Sequence, residues 1–256
     1  MQAFEYASPE TKEQAVGLLT ASWGQTEVLA GGTDLLALMK DDIVTPKRLV
    51  NIKEISDLRG VAPNSDGGVR VGALTTLGDL ADNAQIIRNY PALADALNEA
   101  ASPQIRNMAT LGGNLCQRPR CWYFRNGFGL LPKDKNGADL VAGGENRYHA
   151  ILGNDGPAKF VSPSSIAPVL IAYGAKVSLL GPKGRRQMEL EKFYVIPQKE
   201  DDREHDLRPN EIITDVTLPP AQAKVAHYEV RQKQAFDWPL ALSAVALQMD
   251  GTTIRS

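Results

Sequence analysis

Ile105-Arg106-Asn107-Met108-Ala109-Thr110-Leu111-Gly112-Gly113-Asn114-Leu115 decides how the rest of the chain is read. Paired glycines between apolar residues let a backbone turn where a side chain would collide, and they leave successive amides free to converge on an anion. Val28-Leu29-Ala30-Gly31-Gly32-Thr33-Asp34-Leu35-Leu36 has the same character. It runs from a strand-like segment over two glycines into a helix-like one, whose first amides and dipole would face a negative ligand. Two such loops predict a diphosphate held between them. A single Gly-Gly pair after a strand is more often only a tight turn. Neither loop has the G-x-G-x-x-G spacing of the doubly wound dinucleotide folds.

Composition narrows the class. With 256 residues, 43% hydrophobic and 23% charged, the chain can bury the core of one or two globular domains. A net charge of -2 gives no electrostatic reason to expect nucleic acid or an anionic membrane. No apolar run approaches the roughly 18 residues of a membrane span. The start MQAFEYASPE has neither the basic region nor the apolar core of a signal peptide, so a cytoplasmic location is expected, with export as the passenger of a partner left open. Cys116 and Cys121 are too few for a disulfide scaffold or a four-thiolate metal site.

Residues 2–6 read as a strand, Ser8-Pro9-Glu10 as a helix start, Glu27–Ala30 as a strand, Leu35–Lys40 as a helix and Arg48–Ile52 as a strand. Strands alternating with helices predict a small parallel sheet here. Leu58–Ala62 and Val69–Leu74 flank the turn signal Pro63-Asn64-Ser65-Asp66-Gly67-Gly68, so antiparallel pairing should begin there. Thr75 or Thr76 can cap a helix from Leu77 towards Ile87, and Pro91 opens another. Beyond the glycine loop, Pro163–Tyr173 reads as a helix, while Ala175–Leu180, Gln187–Phe193 and Glu211–Leu218 read as strands. Cys116–Ala158 stands apart as a long, irregular segment, aromatic and basic in CQRPRCWYFRNGFG and then polar, of the kind that is functional or inserted at the surface.

In order and interval, VLAGGTDLL, VGALTTLGDL, IRNMATLGGNL, SPSSIAPVLIAYGAKVSLLGPKG and RPNEIITDVTLPP resemble the FAD-binding medium subunit of the molybdenum hydroxylases, the group of xanthine dehydrogenase, carbon monoxide dehydrogenase and aldehyde oxidoreductase. The resemblance implies a two-subdomain α+β FAD-binding fold of the PCMH (vanillyl-alcohol oxidase-like) type. A small parallel βαβ subdomain (1–57) would precede a larger mixed α+β subdomain (58–220) carrying the 116–158 insertion. Residues 221–256 would begin a C-terminal flavoprotein domain that is incomplete here.

Carried over residue by residue, the implied FAD contacts are Val28, Leu29, Ala30, Gly31, Gly32, Thr33 and Asp34, then Ala101, Thr110, Gly112, Gly113 and Asn114. Ile213 matches an apolar residue near the flavin, and Arg231 sits where the family has a basic residue. Ser165 stands where family members commonly have an acid, keeping a hydrogen-bonding group and losing a charge. CWYFR and ENRYHAILG look like the aldehyde oxidoreductase subgroup, whose medium subunit carries an extra 4Fe-4S cluster; two cysteines cannot supply its ligands, so the insertion is expected to lack the cluster.

The implied activity is that of a flavoprotein oxidoreductase subunit, with no catalytic acid, base or metal ligand of its own. It would work beside a molybdopterin-binding large subunit and a 2Fe-2S small subunit, passing their electrons to a final acceptor. Rivals are a stand-alone flavin oxidase or reductase of related fold, and a degenerate nucleotide-binding assembly scaffold.

Four other features carry simpler readings. His149 is expected to be a hydrogen-bonded structural histidine, while His205 and His227 stand isolated. Asp201-Asp202-Arg203-Glu204 reads as a solvated loop. Arg118, Arg120 and Arg125 with Trp122, Tyr123 and Phe124 fit either a stacking surface for an adenine or partner, or a half-buried loop. Leu240, Leu242, Val245 and Leu247 are expected to lack part of their covering layer and to favour association.

Overall fold

The structure is a computed structural model that describes residues 1–233 and 235–255. Its first unit is a three-stranded parallel sheet. Strand β1 (Glu5–Ala7) leads to helix α1 (Lys12–Leu18), then β2 (Thr26–Leu29), α2 (Leu35–Lys40) and β3 (Arg48–Asn51), with β3 central between β1 and β2. Helix α1 starts later than Ser8-Pro9 suggests. Thr11 is the cap, its side chain accepting from the Gln14 amide while Gln14 reaches back to the Thr11 amide. Two reciprocal bonds outcompete a cap supported only by proline.

A five-stranded antiparallel sheet follows, in the order β4-β5-β8-β6-β7: β4 (Val61–Pro63), β5 (Val69–Gly72), β6 (Lys176–Gly181), β7 (Gly184–Glu189) and β8 (Ile212–Leu218). Between β5 and β6 run α3 (Leu77–Ala81), α4 (Ala84–Asn89), α5 (Pro91–Glu99), α6 (Pro103–Arg106), α7 (Leu111–Leu115), α8 (Trp122–Arg125) and α9 (Ala167–Ala172). The single helix expected from Leu77 is two, because Asn83 caps α4 by accepting from the Gln85 and Ile86 amides. The strand expected over Gln187–Phe193 ends at Glu189, and Leu190–Phe193 is a helical turn, α10, that buries Leu190 and Phe193. Beyond β8, β9 (Lys224–Val230) and β10 (Ala241–Leu247) form an antiparallel pair.

The main core fills the space between the five-stranded sheet and its helices, with Val71, Leu80, Leu93, Leu97, Leu111, Val169 and Val216 nearly inaccessible. A second core joins the two sheets, bringing Ala15, Val50, Ile52 and Ile55 against Leu74 and Ile212. The 116–158 segment has a small core of its own: Cys121, Phe124, Leu130 and Leu131 pack on Leu38 of α2. It is therefore anchored to the helix that follows the first glycine loop. Among the described residues no helix is long and apolar enough to cross a membrane.

Candidate functional site

The first glycine pair follows β2 and the second lies in the first turn of α7, against the end of β5, and the two face each other. A Cβ on Gly31 would fall 1.8 Å from the Met108 carbonyl oxygen, so the first loop needs glycine to lie against the chain entering the second. Gly32 takes φ +74, the left-handed region open to glycine, to turn from β2 into α2. Gly112 presses against β5, donating its amide to the Ala73 carbonyl at 2.9 Å, and its Cβ would meet the Ala73 side chain at 3.0 Å.

The two loops differ in what they offer a ligand. Among the described residues the amides of Gly31, Gly32, Thr33 and Asp34 have no hydrogen-bond partner, which leaves four consecutive donors at the start of a helix. In the second loop all four amides are engaged. Leu111 donates to Thr75 O (2.9 Å), Gly112 to Ala73 O, Gly113 to the capping Thr110 hydroxyl (3.2 Å) and Asn114 to Thr110 O (2.8 Å). The expectation of free amides on both sides therefore holds for one loop only, because the second pairs with the β5 turn and caps its own helix.

Two cavities meet at these loops. The smaller, about 180 Å³, lies between the two sheets and is lined by Val28, Ala30, Ile212 and Ile213, with Trp23, Glu27, Arg203 and His205 at its polar end. The larger, about 540 Å³, is lined by Ala101, Asn114, Arg120, Ser165 and Trp238. Thr33, Asp34, Gly113 and Gln117 line both. The shape is that of an elongated site with two lobes and a waist of free amides, matched to a ligand with two ring systems joined by a charged linker.

Of the residues expected in the site, Val28, Ala30, Gly31, Gly32, Thr110, Gly112 and Ile213 line the smaller lobe, and Ala101, Asn114 and Ser165 the larger. Ala101 adopts φ 52, a costly conformation for a residue with a Cβ. Arg106 holds the carbonyls on either side of it, donating to Ala100 O at 2.9 Å and Ala101 O at 3.2 Å. Asn114 Oδ1 accepts from the Ser164 hydroxyl at 2.5 Å, tying the second loop to the segment that carries Ser165. Leu29 and Arg231 line neither lobe: Leu29 packs with Met39 and Leu49, and Arg231 is held by Glu229 and Glu99 beside His227.

Asp34 makes no helix-capping bond with its side chain. Its carboxylate accepts from the Arg118 amide (2.8 Å) and from Arg125 Nη2 (2.8 Å), and Arg120 Nη2 lies 3.0 Å away. The arginine-rich stretch is thus a half-buried loop folded onto the first glycine loop. Arg203 and Glu204 are not solvated, contrary to expectation. Arg203 pairs with Glu27 at 3.3 Å and stacks over Trp23 at 4.4 Å, and Glu204 pairs with Arg118 at 3.1 Å. Burial raises the Glu27 carboxyl above its usual range, outweighing Arg203 and Arg118. His205 stacks on Phe193 with ring centroids 5.3 Å apart; burial, then Arg203 and Arg118, push it down to about 3, so the imidazole stays neutral. Sequence reading missed Trp23, Glu27, Arg203 and His205, since nothing local marks charges whose partners lie across the fold.

Cys121 Sγ meets His149 Nε2 at 3.1 Å beside the small core of the 116–158 segment, while Cys116 packs against the main core, its thiol pushed up to about 12 chiefly by burial. The two cysteines therefore belong to different clusters.

The fold and its two-lobed site define a nucleotide-cofactor protein. Residues 2–221 match the family model described as the FAD binding domain in molybdopterin dehydrogenase, and the chain belongs to that family. It is 35% identical over 98% of its length to the aldehyde oxidoreductase FAD-binding subunit PaoB of Escherichia coli K12, of which it spans 80%. It is 29% identical over 98% of its length to the carbon monoxide dehydrogenase medium chain of Hydrogenophaga pseudoflava, spanning 71% of it. A solved structure of carbon monoxide dehydrogenase from that organism superposes with a TM-score of 0.74 at 26% identity, covering 100% of this chain and 72% of the other. The chain is an oxidoreductase subunit whose cofactor is FAD. Four free amides, a glycine that leaves no room for a Cβ and two lobes on either side of the waist fit that molecule.

Proposed function

We propose that this chain is the electron-transfer subunit of a molybdenum-containing hydroxylase or dehydrogenase complex, placed between the 2Fe-2S clusters of a small partner subunit and a final acceptor, with a molybdopterin-binding large subunit oxidising the substrate. Bound FAD supplies the redox chemistry, exchanging electrons singly or in pairs. The chain's residues bind and shield it. The amides of Gly31 to Asp34 take the diphosphate, with Thr110, Gly112, Gly113 and Asn114 closing the waist. Val28, Ala30 and Ile213 line one lobe and exclude water, and Ala101 and Ser165 flank the other.

The observation that carries an electron-transfer role over substrate chemistry is that every carboxylate lining the smaller lobe is committed to an arginine. Glu27 pairs with Arg203, Asp34 with Arg120 and Arg125, and Glu211 with Arg186 at 2.8 Å. His205, beside them, is held neutral. Asp34 and Glu211 are held in ion pairs, and the Glu27 carboxyl, raised by burial, is turned to Arg203. The relatives named as medium or FAD-binding subunits support the same placement.

The test uses the complex isolated with its partners. Gly113→Asp would set a Cβ 2.9 Å from the capping Thr110 hydroxyl and a negative charge at the waist. It should leave the molybdenum subunit able to reduce an artificial dye while abolishing bound flavin and transfer to the natural acceptor. In the unaltered complex, substrate should bleach the flavin absorption. A flavin that stays oxidised during turnover would overturn the assignment.

A further inference from the structure

Three arginines of the 116–158 segment surround one carboxylate, and they are not equivalent. Arg125 makes three hydrogen bonds: Nη2 donates to Asp34 Oδ1 (2.8 Å) and Arg118 O (2.9 Å), and Nε to Pro119 O (2.8 Å). Arg118 pairs with Glu204 and lies over the Phe124 ring at 4.9 Å. Arg120 shares the Asp34 oxygen that Arg125 already holds, reaches Gln117 Oε1 only at 3.4 Å, and has a buried Nε with no partner. Its guanidinium stacks over Trp238, 4.7 Å from the ring centroid. Among the described residues Arg120 is also the one cationic side chain lining the larger lobe, beside Thr33, Asp34, Gly113 and Asn114 at the waist.

Arg118 pairs with Glu204 and Arg125 with Asp34, which leaves Arg120 with only a shared carboxylate oxygen, and Asp237 of the same lobe makes no ion pair with it. A half-desolvated guanidinium with an unpaired donor is costly until an anion meets it. The aromatic face of Trp238 fixes its plane, and a planar fork suits phosphate oxygens. We propose that Arg120 is a cofactor-anchoring residue, the counter-charge that the insertion supplies to the FAD diphosphate. The inference rests on the FAD reading and gives the insertion a role in the cofactor site.

The test measures FAD binding to flavin-stripped protein by quenching of flavin fluorescence, with riboflavin, which lacks phosphate, as the second probe. Arg120→Gln removes the charge and keeps a polar side chain; Arg120→Lys keeps the charge. Loss of a charged hydrogen bond to phosphate should weaken FAD about 10- to 100-fold in the glutamine variant. Riboflavin binding should be unchanged, the salt dependence of FAD binding should become shallower, and lysine should recover part of the loss. Equal loss of FAD and riboflavin would assign Arg120 a structural role and overturn the proposal. So would FAD affinity and salt dependence like those of the unaltered protein. If the unaltered protein binds no FAD, the functional reading itself fails and takes this inference with it.

Discussion

The backbone of Gly31 lies so close to the carbonyl of Met108 that a Cβ on the glycine would stand 1.8 Å from that oxygen. The contact fixes the distance between the two glycine loops, and with it the width of the waist where both lobes meet. Gly31→Ala must therefore push the loops apart. The expected cost is about 1–3 kcal/mol of stability, as for other overpacked contacts, together with loss of bound FAD. Thermal melting of the flavin-free protein and visible absorption of the purified variant check the two parts. A variant with an unchanged melting temperature and a full complement of FAD would show that the contact does not set the waist.

Asp34 joins the first loop to the 116–158 segment across 91 residues of chain, through its bond to Arg125. Asp34→Asn leaves Arg120 and Arg125 facing each other without their shared carboxylate. Stability should fall by about 1–3 kcal/mol, the range for a lost charged hydrogen bond with its partner left behind. The loss should be local as well as global, with amides of residues 116–131 exchanging faster, since Phe124, Leu130 and Leu131 pack on α2 just beyond Asp34. Hydrogen exchange resolved by peptide reads this directly. Unchanged exchange in that segment would mean that its apolar core alone holds it in place.

These two contacts mark how far the sequence could be read. Gly31 and Gly112 were legible because a backbone pressed against another backbone excludes every other residue, and that demand is written locally. The strands of both sheets were largely legible through apolar spacing, whereas the start of α1, the break before α4 and the turn α10 depend on caps and burial that spacing does not show. The tether from Asp34 was not legible, since Arg120 and Arg125 read equally as a stacking surface or a half-buried loop until the fold brings them to its carboxylate. Arg203 shows the limit most plainly. Its partner Glu27 lies 176 residues earlier, and its stacking partner Trp23 carries no motif. The free amides were overcounted because the pairing of Gly112 with Ala73 is tertiary.

His205 makes the polar end of the smaller lobe sensitive to acid, and the sign follows from its surroundings. Stacked on Phe193 and edge-on to Trp23, with Arg203 and Arg118 nearby, it resists protonation until about pH 3. In the unfolded chain it would take up a proton near pH 6.5. Below that pH the unfolded state binds a proton the folded state refuses, so its contribution is intact above about pH 6.5 and is lost as pH falls towards 3. One such group gives a slope of up to about 1.4 kcal/mol per pH unit. Glu27 acts in the opposite sense: its raised carboxyl keeps a proton in the folded chain that the unfolded chain has released, which favours folding as pH falls towards 4.5. His149, lowered by burial, adds to the His205 effect, whereas the depressed carboxyl of Glu211 matters only below about pH 4.5. Urea unfolding of the flavin-free protein between pH 5 and 8 should therefore show stability declining below about pH 6.5. His205→Phe, which keeps the apolar stacking, should flatten that decline, and Glu27→Gln should steepen it. Parallel curves for the unaltered protein and His205→Phe would mean that the imidazole is protonated in the folded state and that its burial is not what holds it neutral.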